Sequence, residues 1–240
     1  DNGVERDPRA MIVREGGARG AAPVAYADYP NPSAAPVTLH LTAGGDAVGE
    51  LSFDAVRGRG LEVLKDNVAF SGAALASALS SEHRLLYATP VLADTLHLSG
   101  TPVVTIRLAS SKPAANLSVW LVTLPFDSAV IGSAGQKGVI TRGWADPQNH
   151  KSLVRGGNYD SKARGEPLQN GKFYDLTFDL QPGDRMIAPG KQLALMIMSS
   201  DRDFTLWPSA GTELMIDLGR TSIRLPVVGG VGAMKMAVRQ

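Results

Sequence analysis

Apolar residues recur at alternate positions in many short stretches of this chain. Over 37–41, Val37, Leu39 and Leu41 alternate with Thr38 and His40, the period-two pattern of a half-buried strand. Gly44-Gly45-Asp46 interrupts it and the pattern returns over 48–53, which predicts a hairpin. From Arg84 onward strand patterns follow in series, over 85–89, 95–98, 103–108, 116–124, 138–144, 172–180, 192–198, 213–218 and 222–227. The alternation is cleanest through Tyr174, Leu176, Phe178 and Leu180, and through Leu193, Leu195 and Ile197. Asn170-Gly171, Gln181-Pro182-Gly183-Asp184 and Ala188-Pro189-Gly190 supply turn chemistry between strands. In the first 33 residues only 10–14 reads as a strand, and 26–36, with three prolines, is expected to be extended and docked. The stretch 56–82 reads as loop-like, opening on Arg57-Gly58-Arg59-Gly60, apart from two possible helical turns over 73–79, a length that is marginal without packing. Short strands, regular turns and no fixed repeat predict an all-β fold, an antiparallel β-sandwich of jelly-roll type.

Composition narrows the function classes. The 240 residues are 44% hydrophobic, enough for a packed core. Lys and Arg number 24 against 23 Asp and Glu, a net charge of +1, so no global field attracts nucleic acid or an anionic membrane, and neither partner is expected. No stretch of about 20 apolar residues exists to span a bilayer. The absence of cysteine excludes disulfides, thiolate metal sites and a cysteine nucleophile, and leaves the compartment open, cytoplasmic or secreted. The chain begins Asp1-Asn2-Gly3, without Met and without a signal-peptide pattern, and is expected to be a piece of something longer. Its expected division is a lead-in segment over 1–36, a sandwich over 37–230 and a flexible tail over 231–240.

The motifs of independent catalysis are missing. A nucleophile elbow needs Gly-x-Ser-x-Gly; Gly132-Ser133-Ala134-Gly135 has the wrong spacing. His40, His83, His97 and His150 lack zinc-hydrolase spacing, and His40 and His97 are expected at strand surfaces or edges. Gly165 to Lys172 fails the phosphate-loop spacing, and no helical pattern follows Gly229-Gly230-Val231-Gly232. Asp201 and Asp203 form a fragment of a calcium loop without its glycine or distant Glu. No catalytic residue, cofactor or metal is assigned.

Two segments stand out. The polar excursion over 142–172 contains Trp144, Asn149, His150 and Lys151, then a Gly-rich run over 155–160. Loops longer than about 12–15 residues are usually functional or cover another surface, so this one is either a contact surface or an exposed crossover. The run Ser199 to Pro208 gathers Phe204, Leu206 and Trp207; the ordinary fate of such aromatics is a core plug under the sandwich rim. Trp144, Asn149, His150, Lys151, Phe204 and Trp207 are the candidate interface or substrate-entrance residues.

These same segments carry a family resemblance. Gly143-Trp144-Ala145-Asp146-Pro147-Gln148-Asn149-His150-Lys151-Ser152-Leu153 resembles part of the C-terminal domain of X-Pro dipeptidyl-peptidases and their cocaine-esterase-like relatives. So do Gly165-Glu166-Pro167-Leu168, Phe173-Tyr174-Asp175-Leu176-Thr177-Phe178-Asp179-Leu180-Gln181-Pro182 and Ser199-Ser200-Asp201-Arg202-Asp203-Phe204-Thr205-Leu206-Trp207-Pro208. The likeness is good over about 84–230 and looser over 1–53. It implies a galactose-binding-like jelly roll packed on an α/β-hydrolase domain that carries the Ser, Asp and His of a peptidase or esterase. No position here matches a triad motif. The resemblance therefore implies a non-catalytic accessory domain that shapes the substrate entrance or a dimer contact, leaving a homo-oligomer open. The rival reading is a carbohydrate-binding module, disfavoured because aromatics are 6% of residues and Trp120, Trp144 and Trp207 fall in separate elements. A self-standing enzyme comes third.

Overall fold

The computed structural model describes residues 3–14, 21–55, 60–130, 136–156 and 164–239. The stretches 57–59, 132–135 and 157–160 considered above lie outside the described residues, as do Asp1 and Asn2. The chain opens with β1 (Ala10–Ile12) and β2 (Val24–Tyr26), followed by β3 (Ala34–Thr42), β4 (Gly49–Ser52), β5 (Leu61–Lys65) and α1 (Gly72–Ser77). Then come β6 (Leu85–Ala88), β7 (Leu96–Gly100), β8 (Val103–Ser110), β9 (Leu117–Leu124) and β10 (Val139–Ala145). The last third holds β11 (Phe173–Asp179), β12 (Gly183–Ile187), β13 (Gln192–Met198), β14 (Glu213–Asp217), β15 (Ser222–Val228) and α2 (Gly230–Val238).

A front layer runs β10-β9-β13-β6, all antiparallel, with β4 alongside β6 in parallel. In the back layer β8 pairs with β11 on one side; on the other, β14 takes its C-terminal end and β15 its N-terminal end. β5 extends from β14 and β3 from β15. β4 pairs with β3 as well as β6 and so joins the layers at a corner. Neighbours distant in sequence, in two layers sharing corner strands, make the expected all-β jelly roll. Between the layers Val119, Leu121, Leu195 and Ile197 of the front belong to one buried cluster with Ile106, Leu108, Leu176 and Phe178 of the back.

The front strands are apolar on both faces. Trp120 and Val122, Ala194, Met196 and Met198, and Leu86 and Ala88 alternate with the core residues and form a second cluster with Leu75 and Ala76 of α1. Successive strand residues point to opposite faces, so this cluster lies on the outside of the front layer, and α1 covers its middle. The Ser71 hydroxyl caps α1, accepting from the Ala74 amide at 3.3 Å. The other end is held by Arg84, wholly buried, which donates to the carbonyls of Leu75 (3.0 Å), Ala78 (2.8 Å) and Ala47 (2.8 Å). Burial lowers the pKa of this guanidinium, but an arginine stays charged, and its fork satisfies carbonyls that a helix end leaves orphaned.

Four elements depart from the expectation, the first being β2, which pairs with β1 in a stretch not read as a strand. β5 lies in the stretch read as loop: its inward residues are Leu64 and a buried Glu62, whose Oε2 accepts from Tyr87 Oη at 2.5 Å and whose Oε1 accepts from the Gly44 amide at 2.9 Å. β12 begins inside the predicted Gln181–Asp184 turn. The expected flexible tail is instead helix α2, with Met234, Ala237 and Val238 buried. Gly229 and Gly230, at φ 81° and 60°, turn the chain out of β15 into this helix, a conformation that only glycine adopts freely.

The lead-in segment is docked by a polar cluster. Buried Asp184 on β12 accepts from Tyr26 Oη at 3.0 Å and lies 2.9 Å from His97 Nε2 and 3.5 Å from Arg14 Nε. His97 is thus drawn in against a carboxylate rather than left at a strand surface. The amide of Asn31 donates to Ser99 Oγ at 2.9 Å. Burial by itself would raise the pKa of Asp184, but hydrogen bonds from Ser99, His97 and Tyr26 outweigh it and hold the carboxyl below its ordinary range. An acid whose pKa falls on folding stabilises the fold above its unfolded value, and that contribution fades as pH drops below about 4. Asp184→Asn is expected to cost about 1–3 kcal/mol at pH 7 and to flatten the acid limb of stability; urea unfolding across the acid-to-neutral range checks both.

Candidate docking surface

β10 places Arg142 and Trp144 two residues apart, on one face of the front layer. Arg142 pairs in register with Trp120 of β9, which in turn pairs with Met196 of β13. This row belongs to the outer face. Gly72 at the start of α1 sits against it: a Cβ there would lie 2.3 Å from the Trp120 indole. Glycine is what lets α1 come this close.

The 199–208 loop crosses the same face, pinned by its polar groups. The Ser200 amide and hydroxyl donate to the Asp66 carboxylate at 2.8 and 3.0 Å. Asn116 Nδ2 donates to Ser200 Oγ at 3.1 Å and to the Leu206 carbonyl at 2.5 Å. Asp201, fully buried, accepts at Oδ1 from the amides of Gly72 (3.2 Å) and Asp203 (3.3 Å), while Oδ2 has no partner among the described residues. Burial, reinforced by the Asp203 charge, raises the Asp201 pKa against the pull of those amides and of Arg142.

With the polar groups spent inward, the apolar ones face out. Phe204 is 51% exposed, Leu206 89% and Trp207 65%. These residues are a surface, not the core plug expected of them. A groove of about 470 Å³ opens beside them, lined by Trp144, Asp146, Gln148, Leu206, Trp207 and Pro208. Beyond α1 on the same layer a second hollow of about 330 Å³ is lined by Val48, Leu79, Leu86, Leu124 and Phe126, and Leu79 is 93% exposed.

The structure brings together three of the six candidate residues. The Trp144 and Phe204 ring centroids lie 5.4 Å apart, and Trp207 lines the groove with Trp144. Asn149 ends a short 3-10 helix, Pro147–Asn149, His150 and Lys151 follow it, and all three turn elsewhere. The His150 ring packs on Tyr174 at 4.5 Å, Lys151 pairs with Glu166, and the Asn149 backbone closes the turn through Asp146 and Ser152. Missed in the sequence were Arg142 and Trp120. Trp120 and Trp144, in separate strands, both approach Phe204, the former at 6.5 Å. The in-register pairing of β9 with β10 could have flagged them, since it puts two large aromatics and a cation on one face.

The described residues define an all-β sandwich domain with exposed apolar side chains at both ends of its front layer. Comparison with known proteins gives the same class. The sequence matches the X-Pro dipeptidyl-peptidase C-terminal non-catalytic domain over residues 2–236, and the chain belongs to that family. A Rhodopirellula baltica protein provisionally named Xaa-Pro dipeptidyl-peptidase is 47% identical over 230 residues, covering 96% of this chain and 35% of its own length. The chain thus spans about a third of the length of the curated relatives it matches. Among solved structures, an aminopeptidase from the marine sediment archaeon Thaumarchaeota archaeon superposes with a TM-score of 0.68 at 15% identity, covering 92% of this chain and 41% of that one. A CocE/NonD family hydrolase from Staphylococcus aureus also reaches 0.68, at 12% identity, covering 95% and 43%. At such identities these two show the shared fold. The match to a non-catalytic domain family does not favour the glycan-binding alternative.

Gly72→Ala is expected to destabilise the isolated chain by about 1–3 kcal/mol through overpacking against Trp120, read by chemical denaturation. An acid whose pKa rises on folding costs stability as pH climbs past its unfolded value. The melting temperature of Asp201→Asn relative to wild type should therefore increase from about pH 4 to neutrality, as measured by calorimetry at several pH values.

Proposed function

We propose that this chain is the accessory part of a larger serine hydrolase, releasing Xaa-Pro dipeptides or cleaving esters, and that it docks on the α/β-hydrolase part through the outer face of its front layer. The observation that carries this is exposed apolar surface at both ends of one face. Buried Trp120, Met196 and Met198 lead outward to exposed Phe204, Leu206 and Trp207 at one end and to Leu79 at the other. Monomeric proteins seldom expose contiguous apolar patches beyond a few hundred Å² unless a partner covers them.

The lead-in over 1–36 would follow the catalytic part, and the sandwich over 37–230 would form the buttress. Chemistry through a serine acyl-enzyme would belong to the catalytic part. Trp144, Phe204 and Trp207 would meet it directly, and Asn149, His150 and Lys151 would border the substrate entrance.

The isolated chain should bind a hydrophobic dye and scatter light as a weak self-associating species, whereas the longer polypeptide should bind far less dye per molecule. Trp207→Ser combined with Leu206→Ser should lower the dye binding of the isolated chain and leave its melting temperature nearly unchanged, since these two side chains are 65% and 89% exposed. A wild-type chain that is a clean monomer with no dye binding would overturn the docking reading.

A further inference from the structure

The centre of this face has an electrostatic imbalance. The Arg142 guanidinium lies 4.1 Å from the centroid of the Phe204 ring, 5.4 Å from Trp120 and 5.6 Å from Trp144. Ring faces attract a cation, but they do not accept the five N–H groups of its fork in ordinary hydrogen bonds. Among the described residues no hydrogen bond and no ion pair reaches this side chain. The indole N–H groups of Trp120 and Trp144, its two neighbours, are buried and also lack acceptors among the described residues. Asp201 is close enough to sense the Arg142 charge, yet its free Oδ2 is sealed inside the loop and no ion pair forms. Asp146, the acid that lines the groove, is engaged in its own turn, accepting from the Gln148 amide at 2.9 Å. The site is therefore rich in donors and short of acceptors, and it is ringed by exposed apolar side chains.

We infer that Arg142 is the polar anchor of this face and receives a carboxylate side chain from the catalytic part of the same polypeptide. A carboxylate is planar and matches the guanidinium fork with two parallel hydrogen bonds. Phosphate would match the fork as well, but a small anion leaves Phe204, Leu206 and Trp207 uncovered, whereas an Asp or Glu on a protein surface brings apolar cover with it. The source of that surface is at hand, since about two thirds of the length of the relatives lies outside this chain. The inference rests on the docking reading above and adds to it the chemistry of the contact.

The test uses the longer polypeptide, catalytic part included, as wild type, Arg142→Met and Arg142→Lys. Carboxylates are labelled with a carbodiimide and glycine ethyl ester and read by mass spectrometry, with exposed Asp175 as the internal reference. One Asp or Glu of the catalytic part should become several-fold more reactive in Arg142→Met and rise less in Arg142→Lys, which keeps the charge and loses the fork. Hydrogen exchange over 199–208, compared between the isolated chain and the longer polypeptide, reports the docking face independently. Protection of 199–208 with no change in any carboxylate in either variant would overturn the anchor and leave the docking reading standing. No protection would overturn both. A dimer of the isolated chain that Arg142→Met dissolves would overturn the inference in favour of a second copy as occupant. The lysine variant keeps the test decisive if the methionine variant fails to fold.

Discussion

Strands β9, β13 and β6 carry apolar side chains on both faces, and the layout of the molecule answers that constraint. A strand buried on one side alternates apolar with polar residues; one buried on both sides reads as a nearly unbroken apolar run. The back layer covers the inner face with Ile106, Leu108, Leu176 and Phe178. Among the described residues, α1 and the 199–208 loop lie over the outer face, so its middle is sealed while Phe204, Leu206 and Trp207 at one end and Leu79 at the other stay exposed. The close seating of Gly72 on Trp120 shows how tightly that partial cover is fitted.

Polar groups then decide which side chains face outward. In the 199–208 loop, Asp66 accepts from the Ser200 amide and hydroxyl, Asp201 accepts from the Gly72 and Asp203 amides, and Asn116 Nδ2 donates to Ser200 Oγ and the Leu206 carbonyl. The loop holds its shape without burying Phe204, Leu206 or Trp207, and those residues become surface. Arg84 plays the matching part at the far end of α1, where it ties the helix carbonyls to the β3–β4 connection. The Asp184 cluster does the same for the lead-in segment, fixing where the chain enters the sandwich.

Much of the fold was legible in the pattern of residues. Most strands announced themselves by alternation, and the family by its motif strings. Two of the strands that escaped share a cause: β5 and β12 each turn a carboxylate inward, Glu62 and Asp184. A buried acid breaks the alternation, and its partners come from elsewhere in the chain, Tyr87 and the Gly44 amide for one, Tyr26 and His97 for the other. Helix α2 escaped because its glycine-rich start reads as a loop, while its stability comes from packing Met234 and Ala237 onto the sandwich.

Half of the candidate site was visible in the same way. Trp144, Phe204 and Trp207 were marked by the mismatch of heavy aromatics with loop-like surroundings. Nothing local showed that His150 would turn to Tyr174 and Lys151 to Glu166, or that Arg142 would lie among three rings. The amino-acid sequence by itself determined the strand periodicity, the class of fold and the family. Only the tertiary structure decided which aromatics converge, which charges are answered and which apolar face is left open. Periodicity is a property of neighbours along one strand, whereas convergence and unmet hydrogen bonds depend on residues that folding brings in from far along the chain.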